Sequence, residues 1–198
     1  MNPKYDSICI DMAKLIKNLG PLGAQKVAEK LAVQADEKQI RKLIQCFLHF
    51  ETDAIDYAPM VMKLISERLG KELSEDQFET LLICFDALVA VNPNSEEVFD
   101  LGKSCIDYDF WNEDSLPFVA SYENKGHQIV RDRLRKKACN ILGWIGGKRS
   151  IEILADQGAK ENLRGNNPLA NIFTWTGAYV ETYGSLRHDY EIRINALG

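Results

Sequence analysis

The sequence predicts an all-α fold of stacked antiparallel helical hairpins, and three observations carry that expectation. Apolar residues recur at three- and four-residue spacing along most of the chain. Helix-starting and helix-stopping residues punctuate these runs where a boundary is needed. No stretch alternates polar and apolar residues long enough to make a useful strand. The chain has 198 residues, 45% of them hydrophobic and 27% charged, which suits one folded domain over residues 1–198.

The helices can be read in order. Ile8, Met12, Leu15, Ile16 and Leu19 share one face of a first helix, which Gly20-Pro21 should end. Val27, Ala28 and Leu31 form a short second stripe. Asp36 with Gln39 has the spacing of a capping box and opens a third helix through Ile40, Leu43, Ile44, Phe47 and Leu48. A fourth carries Ile55, Ala58, Val61, Met62, Ile65 and Leu69, with Gly70 as its left-handed stop. Ser74 with Gln77 repeats the capping pattern ahead of Phe78, Leu81, Leu82, Phe85, Leu88 and Val89, and Asn92-Pro93 breaks that helix. A shorter helix surrounds Val98, Leu101 and Cys105. The segment from Asp107 to Ser121, rich in aromatics and acids and interrupted by Pro117, fits either a bent helix or a long ordered loop.

The strongest helical pattern follows, with Val130, Leu134, Ala138, Ile141, Leu142 and Ile145 on one stripe and Gly146-Gly147 as its stop. Ile151 and Leu154 begin a partner. Pro168 suits the first turn of the next helix, which places Leu169, Ile172, Phe173, Thr176 and Val180 together. Gly184 separates it from a last helix through Leu186, Tyr190, Ile194 and Leu197.

Hairpins therefore start near Lys38, Glu75, Lys125 and Asn167, an irregular spacing within the range of helix-pair repeats. Residues 129–154 (IVRDRLRKKACNILGWIGGKRSIEIL) resemble a HEAT-like repeat. They combine the apolar-Arg start Val130-Arg131, the small Ala138 in mid-helix, Leu142-Gly143-Trp144-Ile145-Gly146 at the helix end, and Ile151 and Leu154 opening the second helix. The resemblance covers about 26 residues and implies a HEAT- or armadillo-like α-solenoid with a right-handed superhelical stack. In such a stack each hairpin buries its apolar face against its neighbours. A compact helical bundle is the alternative arrangement.

No complete motif for catalysis, metal or phosphate binding is present. GWIGGKRS lacks the leading glycine of a phosphate loop, which would fall at Leu142, and has Arg149 where Ser or Thr should follow the lysine. The acidic run Asp107, Asp109, Glu113, Asp114 fails as a calcium loop, because Trp111, Asn112 and Phe118 occupy ligand and glycine positions. His49, His127 and His188 are dispersed, no Ser lies in a nucleophile elbow, and no metal or other cofactor is expected. Any site assembled only by folding would be sought at Tyr122, Glu123 and His127, beside the uncertain segment.

The five cysteines (Cys9, Cys46, Cys84, Cys105, Cys139) are odd in number, widely spaced and without a CxxC, so core thiols in a reducing compartment are expected. Charges interrupt the apolar runs near the N-terminus, which leaves no export signal or membrane span and points to the cytoplasm.

Charge patterning supplies the functional expectation. Net charge is −5, yet residues 125–149 hold eight Lys/Arg against a single acid, Asp132. The leading expectation is a non-enzymatic scaffold that binds a basic protein through Asp107, Tyr108, Asp109, Trp111, Glu113 and Asp114, where aromatics would anchor and carboxylates select. The competing structural reading of that segment is an exposed acidic connection with its aromatics tucked into the core. Helical-repeat immunity proteins, often acidic because their toxin targets are often basic, offer a fold-level parallel. The alternative function is nucleic-acid binding through Arg131, Arg133, Arg135, Lys136 and Lys137. Against it stands internal pairing of that helix with the acidic segment, or plain solvation.

Overall fold

The computed structural model describes residues 18–112, 114–125 and 127–187. Nearly all of the expected first helix, the expected last helix beyond Arg187, and the individual residues Cys9, Glu113 and His188 lie outside the described residues. The protein is mostly helical, and its chain folds as two compact units: residues 1–68 with 73–92, and residues 69–72 with 93–198.

In the first unit, α1 (Gly20–Ala32) takes Pro21 into its first turn and buries Val27, Ala28 and Leu31. Gly20-Pro21 thus opens a helix, as the fixed φ of proline favours at the first helical position. α2 (Glu37–Phe50) starts at Asp36, whose carboxylate accepts from the Gln39 N–H at 2.9 Å. The reciprocal half of the expected capping box comes from another residue, since the Asp36 N–H donates to Gln34 Oε1 at 3.1 Å. The fourth expected helix divides into a 3-10 turn (Glu51–Tyr57) and α3 (Ala58–Ser66).

α4 (Glu75–Val91) is the centre of this unit. Its Ser74–Gln77 capping box is complete, with Ser74 Oγ accepting from Gln77 N–H at 3.3 Å and Gln77 Oε1 accepting from Ser74 N–H at 2.9 Å. The helix is apolar round most of its circumference, the pattern of a fully enclosed helix, and α2, α3 and the 3-10 turn all pack on it. Arg68 fastens the unit by donating to both Glu37 carboxylate oxygens, at 2.9 and 3.2 Å, and to the Leu64 carbonyl at 3.0 Å.

The second unit contains α5 (Glu96–Ile106), α6 (His127–Ile145), α7 (Gly147–Leu163) and α8 (Asn167–Tyr183). Between α5 and α6 the chain runs as an ordered loop, the second of the two forms the sequence allowed. It ends in a short 3-10 turn over Ala120–Lys125. Residues 69–72 return to brace this loop: Gly70 N–H donates to the Ser115 carbonyl at 3.0 Å and Phe118 N–H to the Lys71 carbonyl at 2.9 Å. Two-residue strands, β1 (Glu72–Leu73) and β2 (Phe118–Val119), pair as a small parallel sheet.

The glycines of the 129–154 stretch have separate mechanical roles. Gly146 sits at φ +74°, and a Cβ there would lie 2.1 Å from the Gly184 carbonyl oxygen, so only glycine permits the turn. Gly143 lets Leu186 and Thr176 approach the helix backbone, and its carbonyl accepts from Leu186 N–H at 2.8 Å. The helices flanking Gly146-Gly147 touch one another less than they touch other partners: α6 packs mainly on α5, and α7 on α8.

Cys84, Cys105 and Cys139 are buried, and burial raises all three thiols, Cys84 to about 12 and Cys139 to about 11. Site-resolved alkylation of the native protein at pH 8 should leave these three unmodified until denaturant is added. Ser74→Ala removes one half of the capping box and should cost about 1 kcal/mol in chemical denaturation.

Candidate functional site

The residues singled out in the sequence gather on two elements of the second unit: the loop over residues 107–117 and the helix α6. Trp111 is 1% exposed, and its indole N–H donates to the Cys105 carbonyl at 2.7 Å. It is a core residue that anchors the loop from beneath and is removed from the expected partner surface. The reason is its apolar area, which can be satisfied inside once a carbonyl meets the N–H. Phe110 lies edge-on against it at 4.8 Å.

The carboxylates divide into two kinds. Asp107 is half-buried, and its Oδ1 accepts from Asp109 N–H at 2.9 Å, closing an Asx turn. Asp109 and Asp114 are exposed. Asp114 N–H donates to Asn112 Oδ1 at 2.9 Å, and Ser115 Oγ donates to the Phe110 carbonyl. The loop therefore holds its own shape and presents two carboxylates outward. Glu113 lies outside the described residues.

Tyr108 stands where the loop meets the basic helix. Arg131 lies over its ring with the guanidinium carbon 4.2 Å from the centroid, Arg164 at 4.6 Å and Arg135 at 5.7 Å. Arg131 also donates to the Tyr108 hydroxyl at 2.6 Å and to the Trp111 carbonyl at 3.1 Å. Arg133 donates to the Tyr122 hydroxyl at 2.9 Å.

Arg135 requires a correction. It was a candidate nucleic-acid contact with Arg131, Arg133, Lys136 and Lys137, but its side chain is 0% exposed. It follows Leu134 directly on the face that α5 and α7 cover. Its Nε donates to the Ile106 carbonyl at 2.7 Å, Nη2 to Gln157 Oε1 at 3.3 Å, and Nη1 pairs with Glu161 Oε2 at 2.9 Å. Glu161 is equally buried, and its other oxygen accepts from Arg164 at 2.8 Å. Burial acts most strongly on Glu161 and raises its pKa, but the bonds and charges of Arg135 and Arg164 outweigh it and leave the carboxyl below the usual range. Lys136 is exposed and Lys137 half-buried.

Asp132, the acid of the basic stretch, accepts from Gln128 at 2.7 Å and from Asn166 at 3.3 Å, and burial raises its pKa. Arg149 is paired at both Glu96 oxygens, at 3.1 and 2.6 Å, and covers the Phe99 ring at 4.0 Å. His127 opens α6 with its ring 6.0 Å from that of Phe118. The side chain of Glu123 lies outside the described residues. Among the described residues no group of three or more His, Cys, Asp or Glu is placed to hold a metal ion, and no helix is long and apolar enough to cross a membrane.

Two features were missed in the sequence. Glu161 was not singled out, because nothing in its local spacing separates it from Glu152 or Asp156. The other is an outward aromatic ladder on α8, Trp175, Tyr179 and Tyr183, whose four-residue spacing was legible from the start.

The chain matches no protein-family model, no curated protein and no solved structure.

Breaking the buried pair should be severe. Glu161→Gln leaves Arg135 without its counter-charge and should cost about 3–5 kcal/mol in denaturant unfolding. The double variant Arg135→Met/Glu161→Leu should recover part of that loss, the remainder reflecting the orphaned Ile106 carbonyl and Gln157. Because Glu161 is held below its unfolded pKa, its contribution is present above the ordinary carboxylate range and fades as pH falls through the lowered value. Glu161→Gln should therefore flatten the acid limb of a stability–pH curve.

Proposed function

We propose that this protein is a non-enzymatic protein-binding scaffold of helical-repeat type, recognising a basic protein partner in the manner of an adaptor or immunity protein. The observation that carries the reading is the pinned loop of residues 107–117, with Asp109 and Asp114 outward above a buried Trp111. Rigid, preset carboxylates lose little freedom on binding and select an opposite charge. Tyr108, half-buried among guanidinium groups, supports the loop and does not serve as a free anchor.

The helical-repeat part of the proposal rests on the succession of α6, α7 and α8 through short connections, Gly146 and residues 164–166, together with the Gly143 and Gly146 contacts described above. α6 packs chiefly on α5 and α7 on α8, so each of these helices buries its apolar stripe against a neighbour, as repeat stacking requires. Nucleic-acid binding through α6 has less support. Phosphate contact needs cations that reach solvent, while Arg131, Arg133 and Arg135 are engaged inside the protein.

Affinity purification with wild-type protein should recover a basic partner near stoichiometry. Asp109→Lys/Asp114→Lys should weaken that complex about tenfold or more in titration calorimetry, with the wild-type affinity falling as salt rises. An unchanged affinity in the double variant would remove the loop from the interface. A salt-sensitive gel shift of wild-type protein with DNA or RNA, abolished by Lys136→Glu/Lys137→Glu, would favour the nucleic-acid reading instead.

A further inference from the structure

The two exposed acids of the loop over residues 107–117 are held from different places. Asp109 belongs to the first half, where its N–H donates to Asp107 Oδ1 at 2.9 Å and the Trp111 N–H donates to the Tyr108 carbonyl at 3.2 Å. That half is fastened to α6 by Arg131, through the Tyr108 hydroxyl and the Trp111 carbonyl. Asp114 belongs to the second half. Its N–H donates to Asn112 Oδ1 at 2.9 Å, and the Leu116 N–H donates to the Asn112 carbonyl at 2.9 Å. These bonds close a local turn without fixing where the turn stands.

Its place is set by a residue much earlier in the chain. Gly70 donates its N–H to the Ser115 carbonyl at 3.0 Å, and the Lys71 carbonyl accepts from the Phe118 N–H at 2.9 Å. The Asp114 peptide thereby lies directly against the Gly70 Cα. A Cβ on residue 70 would overlap the Asp114 carbonyl oxygen and crowd its carbonyl carbon. Both are backbone atoms, which cannot swing aside as the end of a side chain can. Residue 70 also has φ +63°, a conformation that is costly for residues with a side chain and free for glycine. Space and conformation therefore demand glycine independently. The preceding helix α3 already ends at Ser66, so the contact with Asp114 is a task beyond that of a helix stop.

We infer, on the reading of this loop as a partner-binding surface, that Gly70 is a positioning residue for Asp114. It holds that carboxylate, and not Asp109, at the place from which the loop meets a basic partner. The spacing of the two acids, which a partner's cations must match, is then decided in part by a residue outside the loop.

Gly70→Ala and Gly70→Asn test this together. Both add the Cβ, while asparagine tolerates positive φ and folds with less strain. In amide hydrogen exchange of the full chain, followed by NMR, both variants should speed exchange at Leu116 and Phe118 about tenfold or more and leave Asp109 and Trp111 unchanged. Binding is read with decalysine as the basic probe, by titration calorimetry at low salt. Asp109→Asn and Asp114→Asn should each weaken it about two- to fivefold, the effect of one exposed charge pair. In the Gly70→Ala chain Asp114→Asn should lose most of that effect while Asp109→Asn keeps it, a difference that a general loss of stability would not produce. Unaltered exchange at Leu116 and Phe118 in both variants overturns the role of Gly70, as does a speeding that extends equally to Asp109 and Trp111. So does an Asp114→Asn effect that survives undiminished in Gly70→Ala. Decalysine binding indifferent to both carboxylates overturns instead the reading of the loop as the site, and the exchange rates still decide what Gly70 holds.

Discussion

The second unit depends on one buried ion pair, Arg135 with Glu161. Neither charge reaches solvent, so each would be costly alone, and their mutual attraction is useful only because further bonds complete the geometry. Arg135 ties the last carbonyl of α5 to Gln157 and Glu161 of α7 and lies 5.3 Å from the Phe173 ring of α8. One side chain on α6 thereby sets the mutual positions of three other helices. A domain's whole stability is about 5–15 kcal/mol, so an arrangement whose rupture costs about 3–5 is a constraint the remaining packing must respect.

The loop of residues 107–117 derives its order from the same place. Arg131, one turn before Arg135, reaches the Tyr108 hydroxyl and the Trp111 carbonyl, and Arg164, which completes Glu161, also covers Tyr108. The excess positive charge of α6 is in large part spent inside the unit, on carbonyls, ring faces and one carboxylate. Facing solvent are Asp109 and Asp114 on the loop and, on α6, Lys136. The proposed recognition of a basic protein and the weak support for phosphate binding are thus two consequences of one internal network.

The helix boundaries were largely legible locally, because caps and stops act within a few residues. Ser74-Gln77, Gly146-Gly147, Gly184 and Pro168 each do in the structure what their chemistry implies. Gly20-Pro21 opens a helix, a use of proline that its flanking residues did not announce, while the helix it was expected to end lies outside the described residues. The 107–121 segment stayed ambiguous for a different reason. Its order comes from Arg131 and from residues 69–72, far away in sequence.

By itself the sequence determined that the chain is helical, where most described helices begin and end, and which stripe of each is buried, since these follow from spacing and backbone chemistry. Only the tertiary structure decided which charges are structural and which face outward. Arg135 and Lys136 are adjacent and chemically alike, yet one is buried against Glu161 and the other exposed. That difference depends on what a neighbouring helix places opposite each position, and neighbours of this kind are chosen by folding, not by local sequence.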